Sequence, residues 1–254
     1  EAESLMNLAI DPILTPTLYR LQTNGINFTG YNSPLLAGST SDTEFMANTS
    51  LLPANDGNNT FMSYYDNTYP VTLAGVFEAN DYYTLAAHIN YAEFYNRDEM
   101  LPNLGYDFWD SYRMGFEGQM ILDSAFIEPI KWISYEKDKF FSYWITFNGH
   151  QPYGLDEMNP DLMVYYTQVE ALYPNLPEVE KVYLAKNMDF DRALESMIRD
   201  FDYSGRIEDL VIVLFGDHFI EETDLISFLS HENKECMLVS RLKEDQRNWI
   251  ACTC

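Results

Sequence analysis

The chain has 254 residues, of which 40 are Asp or Glu and 15 are Lys or Arg, giving a formal net charge of −25. This excess of carboxylates opposes binding to a nucleic-acid backbone, which needs clustered cations. The length suits one α/β domain with a sizeable core. The apolar runs are all shorter than the roughly 20 residues that a membrane span needs.

The first predicted elements are a helix followed by a strand. "TPTLYRLQTNG" (15–25) has Thr15 in the N-cap position, Pro16 at the first helical position and Gly25 as a C-terminal stop. "INFTGYN" is then expected to be a strand.

The segment "GSTSDTEF" (38–45) is expected to begin the second helix. Ser41 and Glu44 have the spacing of a capping box in front of an apolar run. Thr40 has two interpretations, an ordinary residue at a helix start or a nucleophile. They are compatible, because the partial positive charge of a helix N-terminus stabilises both an alkoxide and a bound phosphate.

The middle of the chain predicts the helix "VTLAGVFEAN", the strand "YYTLAAH" ending at His88, and a helix or turn over "AEFYNRDEML". Arg97 could clamp a phosphate with two hydrogen bonds, or it could form a surface ion pair with Asp98 or Glu99. His88 could be a core histidine or a donor in a ligand pocket.

Two strands are expected to be buried on both faces, "FFSYWITFNGH" (140–150) and "LVIVLFGDH" (210–218), with a long helix over 176–201 between them. Alternating strands and helices predict an α/β fold with a mostly parallel central sheet and helices on both faces, an α/β/α sandwich. Ligands bind beyond the carboxyl ends of such strands. We therefore expect His150 and the pair Asp217–His218 to lie near one another.

The Asp217–His218 pair offers one hard oxygen and one imidazole nitrogen, which suits Mn²⁺, Zn²⁺ or a similar ion. The alternative is a helix-capping Asp beside a surface His, and a dipeptide does not decide between them.

Four motifs in order are more specific: "GSTSDTEFMANTSLLP", "HINYAEFYNRDEMLPNLGYDFWD", "ITFNGHQPY" and "VIVLFGDH". Together they resemble the extracellular catalytic domain of the lipoteichoic acid synthase family, phosphoglycerol transferases of the alkaline phosphatase and sulfatase superfamily. The resemblance implies an alkaline phosphatase/sulfatase-like fold. It also implies one catalytic domain over 1–254 that is incomplete, lacking the strand before Glu3 and the C-terminal strands.

The resemblance implies one metal ion, Mn²⁺ or Mg²⁺. The family's nucleophilic threonine corresponds to Thr40, which is also a metal ligand, and its glutamate in an E-x-x-x-N pattern corresponds to Glu3, with Asn7 four residues later. Asp217 and His218 match the family's Asp-His pair.

The resemblance also implies a glycerol-phosphate pocket. His88, Arg97 and His150 match the family's pocket residues, and Tyr95 stands where the family has a tryptophan. An aromatic wall is thus kept, but its shape changes and it gains a hydroxyl group.

The implied reaction has two steps. Thr40 attacks the phosphorus of phosphatidylglycerol and diacylglycerol leaves. A glycerol phosphate polymer or glycolipid then attacks the glycerophospho-threonine, with His150 as a proton donor or as a partner of a phosphate oxygen. The family works on the extracellular face of the bacterial cell membrane, so a membrane anchor is expected outside this segment. The alternatives are a metal-dependent phosphodiesterase, phosphatase or sulfatase-type hydrolase, and a catalytically silent binding module. "STSDTEF" lacks the Cys or Ser followed by Pro and Arg that the sulfatase branch expects.

Overall fold

The computed structural model describes residues 1–33, 39–117, 122–220 and 237–241. The chain divides into two compact units, Glu1–Ser4 with Asn32–Phe147 and Leu5–Tyr31 with Asn148–Cys254. The expectation of a single catalytic domain over 1–254 stays a prediction.

The helices and strands follow in chain order. The α-helices are α1 Pro16–Asn24, α2 Thr40–Thr49, α3 Thr60–Ser63, α4 Leu73–Glu78, α5 Arg97–Asn103, α6 Asp123–Tyr135, α7 Met163–Leu172 and α8 Glu178–Tyr203. Short 3₁₀ helices cover Asn7–Ala9, Phe94–Asn96, Pro160–Leu162 and Ile207–Asp209. The strands are β1 Ile26–Asn27, β2 Tyr83–His88, β3 Asp107–Trp109, β4 Phe140–Ile145, β5 Val211–Phe215 and β6 Met237–Arg241.

The first unit contains a parallel sheet in the order β3-β2-β4. The central strand β2 is buried from Thr84 to His88, as a strand with a neighbour on each side should be. Its last residue, His88, pairs in register with Ile145 at the end of β4. Both strands therefore deliver their following residues to the same edge of the sheet.

The first residues of the chain continue this sheet beyond β4. The Glu1 nitrogen donates to the Trp144 carbonyl (2.8 Å), and the Thr146 amide donates to the Glu1 carbonyl (3.1 Å). Glu1 thus bonds to the residues before and after Ile145 on the neighbouring strand, which is the hydrogen-bond pattern of a parallel pair of strands. Glu3 is therefore held just past the carboxyl end of β4, where its amide donates to Thr146 Oγ1 (3.0 Å).

The second unit combines helices with an antiparallel sheet in the order β1-β6-β5. The helix α1 begins after Thr15 at Pro16 and ends at Gly25, as the sequence predicts. An apolar cluster joins the preceding loop to α7 and α8, through Leu14, Val169, Leu184 and Met188.

The prediction that both apolar strands are buried on both faces is wrong for β5 and only partly right for β4, in which Tyr143 and Ile145 are buried and the other residues are half-buried. Val211 is 56% and Val213 49% exposed, whereas Leu214 is buried. An all-apolar run hides the two-residue periodicity that separates an inner from an outer face. Among the described pairings, β4 and β5 also belong to different sheets, so the expected common sheet for these strands is not found.

Candidate active site

Thr40 is the first residue of α2, and the residue before it has an unusual backbone. Ser39 has φ of +50° and makes no side-chain capping hydrogen bond. A non-glycine residue in this region carries strain of the kind that clusters at functional sites. The Thr40 hydroxyl thus lies at a helix N-terminus, where the unpaired amides and the helix dipole favour negative charge.

The predicted capping box of Ser41 and Glu44 is wrong. The helix begins two residues earlier than this box predicts, with Ser39 in the N-cap position, so Ser41 lies inside its first turn and its hydroxyl accepts a hydrogen bond from Asn59 Nδ2 (2.7 Å). Glu44 does not reach back to the helix start, because its carboxylate pairs with Arg97. A buried cation offers a carboxylate a stronger partner than a backbone amide does.

Thr40 and Glu3 are in contact within the first unit. Thr40 Oγ1 donates to Glu3 Oε2 (3.3 Å), and Glu3 Oε1 accepts from the Ser4 hydroxyl (2.9 Å). Both Thr40 and Glu3 are buried. Two of the four residues predicted to hold a metal are therefore side by side, with oxygen atoms of the type that Mg²⁺ and Mn²⁺ prefer.

Arg97 lies at the start of α5 and is fully enclosed, with 1% of its side chain exposed against 0% for Glu44. Its Nε donates to Glu44 Oε2 (3.0 Å) and Oε1 (3.1 Å), and Nη2 donates to Oε1. The partner is neither Asp98 nor Glu99, the residues considered from the sequence. Burial by itself would lower the pKa of Arg97, but the charge of Glu44 raises it above the ordinary value.

Tyr95 contributes an aromatic wall beside this guanidinium. Arg97 Cζ lies 5.1 Å from the centre of the Tyr95 ring and 5.9 Å from that of Phe94, within cation–π range. Tyr95 has φ of +62°, so the chain turns sharply just before α5. This turn brings the ring and the guanidinium together although they are two residues apart.

His88 is buried at the end of β2. Its Nδ1 lies 2.8 Å from the Ile145 carbonyl oxygen, and since a carbonyl only accepts, Nδ1 carries a proton. The neutral ring then has its lone pair on Nε2. The hydrogen bond fixes the tautomer and the orientation of the ring.

Asp217 and His218 follow β5 in the second unit, and both are buried. Asp217 Oδ1 accepts from the His218 amide (3.0 Å), and His218 Nδ1 donates to the Phe219 carbonyl (2.8 Å). In the neutral ring this leaves a lone pair on Nε2, which lies 3.5 Å from Asp217 Oδ2. An imidazole nitrogen beside a carboxylate oxygen is a donor set for a divalent ion, so these residues fit the predicted metal.

Gly216 sets the backbone position of this pair. A Cβ at Gly216 would clash with the carbonyl oxygen of Leu5, which belongs to the same unit. The Gly216 carbonyl also accepts from the Tyr31 hydroxyl (3.1 Å). The residue before Asp217 is therefore glycine because another stretch of backbone approaches it closely.

His150 is half-buried in the loop that follows residue 147, with Nδ1 against the Gln151 carbonyl oxygen. Lys186 of α8 anchors this loop by donating to the carbonyls of His150 (2.6 Å) and Pro152 (2.9 Å). The predicted proximity of His150 to Asp217 and His218 stays a prediction.

Sequence reasoning missed two residues that hold predicted site residues in place, Glu44 and Lys186. Glu44 was predicted to belong to a capping box. Lys186 lies in the predicted long helix and was not predicted to have a role in the site. A lysine on a buried helix face was a usable signal, because a charged group is rarely enclosed without a partner.

The sulfatase family profile matches residues 2–234. The chain belongs to the sulfatase family. The predicted resemblance to lipoteichoic acid synthases is confirmed by relatives of this sulfatase domain. Lipoteichoic acid synthase 1 of Bacillus subtilis (strain 168) is 27% identical in an alignment 232 residues long that covers 85% of this chain and 35% of that protein. The lipoteichoic acid synthase of Staphylococcus aureus (strain USA300) is 27% identical in an alignment 216 residues long that covers 81% of this chain and 32% of that protein.

Solved structures confirm the predicted α/β fold of the alkaline phosphatase/sulfatase type. The lipoteichoic acid synthase LtaP from Listeria monocytogenes superposes with a TM-score of 0.70 at 24% identity, over 89% of this chain and 59% of that one. An alkaline phosphatase superfamily protein from Vibrio parahaemolyticus gives 0.67 at 18% identity, over 94% and 58%. The chain spans about a third of the length of the two lipoteichoic acid synthases compared by sequence.

Members of this superfamily are metal-dependent, and the sulfatase domain carries suitable residues. Glu3, Asp217 and His218 are buried carboxylate and imidazole side chains of metal-binding type. In the part of the chain that the structure describes, all helices are too short or too polar to cross a membrane.

Proposed function

We propose that this sulfatase-family domain is the catalytic part of a phosphoglycerol transferase. It would take glycerol phosphate from phosphatidylglycerol and pass it to a glycerol phosphate polymer or a glycolipid. The observation that carries the proposal is the buried Thr40 hydroxyl at a helix start, hydrogen-bonded to Glu3. The two lipoteichoic acid synthase relatives support the substrate class.

We assign one divalent ion, Mn²⁺ or Mg²⁺, to Thr40, Glu3, Asp217 and His218. Support comes from each unit by itself: Thr40 Oγ1 donates to Glu3 Oε2 in the first unit, and the buried side chains of Asp217 and His218 lie side by side in the second. When bound, such an ion supplies Lewis-acid charge that stabilises an alkoxide and the negative charge on a phosphate.

In the proposed first step, Thr40 Oγ1 attacks the phosphorus of the lipid head group. The hydrogen bond to Glu3 orients the oxygen, and the amides at the start of α2 stabilise its negative charge. The bond from phosphorus to the diacylglycerol oxygen breaks, and His150 donates the proton that diacylglycerol leaves with. Glycerol phosphate remains esterified to Thr40.

In the second step, a hydroxyl group of the acceptor attacks the same phosphorus. The Thr40 ester bond breaks, the acceptor proton passes to His150, and Thr40 takes back from solvent the proton that it gave up in the first step, so the enzyme returns to its starting state. Arg97 binds phosphate oxygens in both steps, with His88 and Tyr95 completing the pocket around the glycerol group.

The proposed site of action is the extracellular face of the bacterial cell membrane, where phosphatidylglycerol is available to a membrane-anchored protein. That both relatives are lipoteichoic acid synthases supports this location.

The test is turnover of a fluorescent phosphatidylglycerol with Mn²⁺, comparing wild type with Thr40→Ala and with Thr43→Ala as a matched control. Thr43 is a buried threonine on the same helix. We expect Thr40→Ala to lose diacylglycerol release by at least a thousandfold, and Thr43→Ala to keep most of it. Equal turnover in wild type and Thr40→Ala would refute the mechanism. Release of glycerol phosphate to water without dependence on an acceptor would instead identify a phosphodiesterase.

A further inference from the structure

The ion pair between Glu44 and Arg97 lies on the nucleophile's own helix. Glu44 is four residues after Thr40 in α2, so the two side chains project from the same helix face about one turn, roughly 6 Å, apart. The three hydrogen bonds described for the guanidinium all reach Glu44. Whatever Arg97 binds is therefore positioned with respect to Thr40 through Glu44.

The geometry of the pair leaves one nitrogen of the guanidinium, Nη1, without a hydrogen bond to Glu44. Glu44 takes the side formed by Nε and Nη2. A guanidinium has five N–H donors, and its Nη1–Nη2 end can make a second two-pronged contact with an oxyanion. Arg97 Nη1 is fully buried and has no hydrogen-bond partner among the described residues. A buried donor without an acceptor is costly, which points to a ligand that supplies the oxygen.

The pair also sets the local charge. Glu44 is enclosed and adjacent to Arg97, so the cation and the anion largely cancel at a distance, while the hydrogen-bonding end of the guanidinium stays intact. The buried carboxylate of Glu1 also interacts electrostatically with Arg97 and adds to the negative side of this balance. A phosphodiester carries one negative charge, whereas a phosphate monoester carries close to two above its second pKa near 6. A guanidinium whose charge is offset by a carboxylate can hydrogen-bond to a phosphodiester and to a phosphate monoester. It attracts the second negative charge of the monoester less than a guanidinium without that carboxylate would.

We infer that Glu44 is a positioning and specificity residue: it holds Arg97 side-on, presents its Nη1 end to the phosphate, and cancels its charge so that the site favours phosphodiester monoanions over phosphomonoester dianions. This inference rests on the proposed function in placing Arg97 at the phosphate. It deepens that function by naming what selects a lipid phosphodiester over a free monoester.

The test measures binding without turnover, using dimethyl phosphate as the monoanion and methyl phosphate as the dianion at pH 8. Dissociation constants come from ³¹P NMR titration in Mg²⁺ buffer, for wild type, Glu44→Gln and the control Asp42→Asn. Asp42 is a buried carboxylate on the same helix, so its substitution removes the same charge away from the described Arg97 contacts. We expect Glu44→Gln to shift the ratio of the two constants towards methyl phosphate by roughly tenfold, and Asp42→Asn to leave it within about twofold.

A second variant covers the case in which Glu44→Gln leaves Arg97 unpaired and does not fold. Replacing Glu44 and Arg97 together by glutamine keeps the pair neutral, so the ratio should stay at the wild-type value while both ligands bind more weakly. An unchanged ratio in Glu44→Gln, an equal shift in Asp42→Asn, or a shifted ratio in the double variant would each overturn the inference. Equal lipid turnover in wild type and Thr40→Ala would refute the proposed mechanism but would leave these binding ratios unexplained by it, so the two failures are distinguishable.

Discussion

The two units of the chain hold their candidate site residues in different ways. In the first unit, side chains far apart in sequence fix one another: Thr40 binds Glu3 across 37 residues, and Arg97 binds Glu44 across 53. In the second unit, the hydrogen bonds described for Asp217 and His218 involve the backbone next to them, through the amide of His218 and the carbonyl of Phe219.

This difference separates two kinds of preorganisation. A buried pair of charges is strong only while both partners are present, so removing one leaves an uncompensated charge. A residue held by neighbouring backbone keeps its hydrogen bonds as long as the backbone stays in place, which makes the path of the chain more important than any single partner. Substitutions of charged partners should therefore be most costly in the first unit, and substitutions that displace backbone in the second.

The largest expected effect is on stability, from Arg97→Met. The substitution leaves the Glu44 carboxylate buried without its cation, and such a change typically costs about 4 kcal/mol of unfolding free energy. Urea denaturation followed by circular dichroism measures the loss.

The control is the double variant in which Glu44 and Arg97 both become methionine. With no unpaired charge left, its unfolding free energy should lie within about 1.5 kcal/mol of wild type. A single-variant loss below about 1 kcal/mol would show that the first unit does not depend on this pair.

The sequence predicted most elements of both units, because their signals are local. Pro16 and Gly25 bracket α1, and the apolar run 83–88 gives β2 with His88 at its end. The motifs also predicted the family, since four of them occur in a fixed order, and they singled out Thr40 and Glu3, which the structure places in contact.

Long-range partners could not be predicted, because they depend on how elements pack. Glu44 has the spacing of a capping box, but a buried arginine 53 residues away takes its carboxylate. Val211 and Val213 look like core residues in an apolar run, yet they lie on the exposed face of β5. In both cases the local pattern was real, and the tertiary environment decided its use.

Gly216→Ala should have the next largest effect, because the second unit depends on its backbone path. The new methyl group would meet the Leu5 carbonyl oxygen, and overpacking of this kind costs about 3 kcal/mol. Gly30→Ala is a matched control in the same unit, since a Cβ there would meet nothing within 4 Å. Thermal unfolding of both variants measures the difference, and similar midpoints would contradict the close approach.

A smaller effect is expected from Lys186→Met, which removes both hydrogen bonds to the carbonyls of His150 and Pro152. The unfolding free energy should fall by about 2 kcal/mol. Diacylglycerol release should also be slower, because the loop that carries His150 loses its anchor. Lys181 is the control: it is also buried on α8, but it donates to the Pro174 carbonyl (3.0 Å). Lys181→Met should lower stability without slowing release, and equal slowing in both variants would exclude a specific role for Lys186.

The last effect is spread over two pH units and tests a long-range contact of a buried carboxylate in the second unit. Asp191 of α8 accepts a hydrogen bond from the Leu18 amide (2.7 Å), and burial raises its pKa to about 7. Because the pKa in the folded state lies above the unfolded value of 3.8, the stabilising contribution is complete below that value and is lost as the pH rises towards 7. We therefore expect wild type to lose roughly 1 kcal/mol per pH unit relative to Asp191→Asn between pH 5 and 7, measured by urea denaturation. Parallel pH profiles for the two proteins would show that ionisation of the buried Asp191 carboxylate does not lower the unfolding free energy of the folded protein.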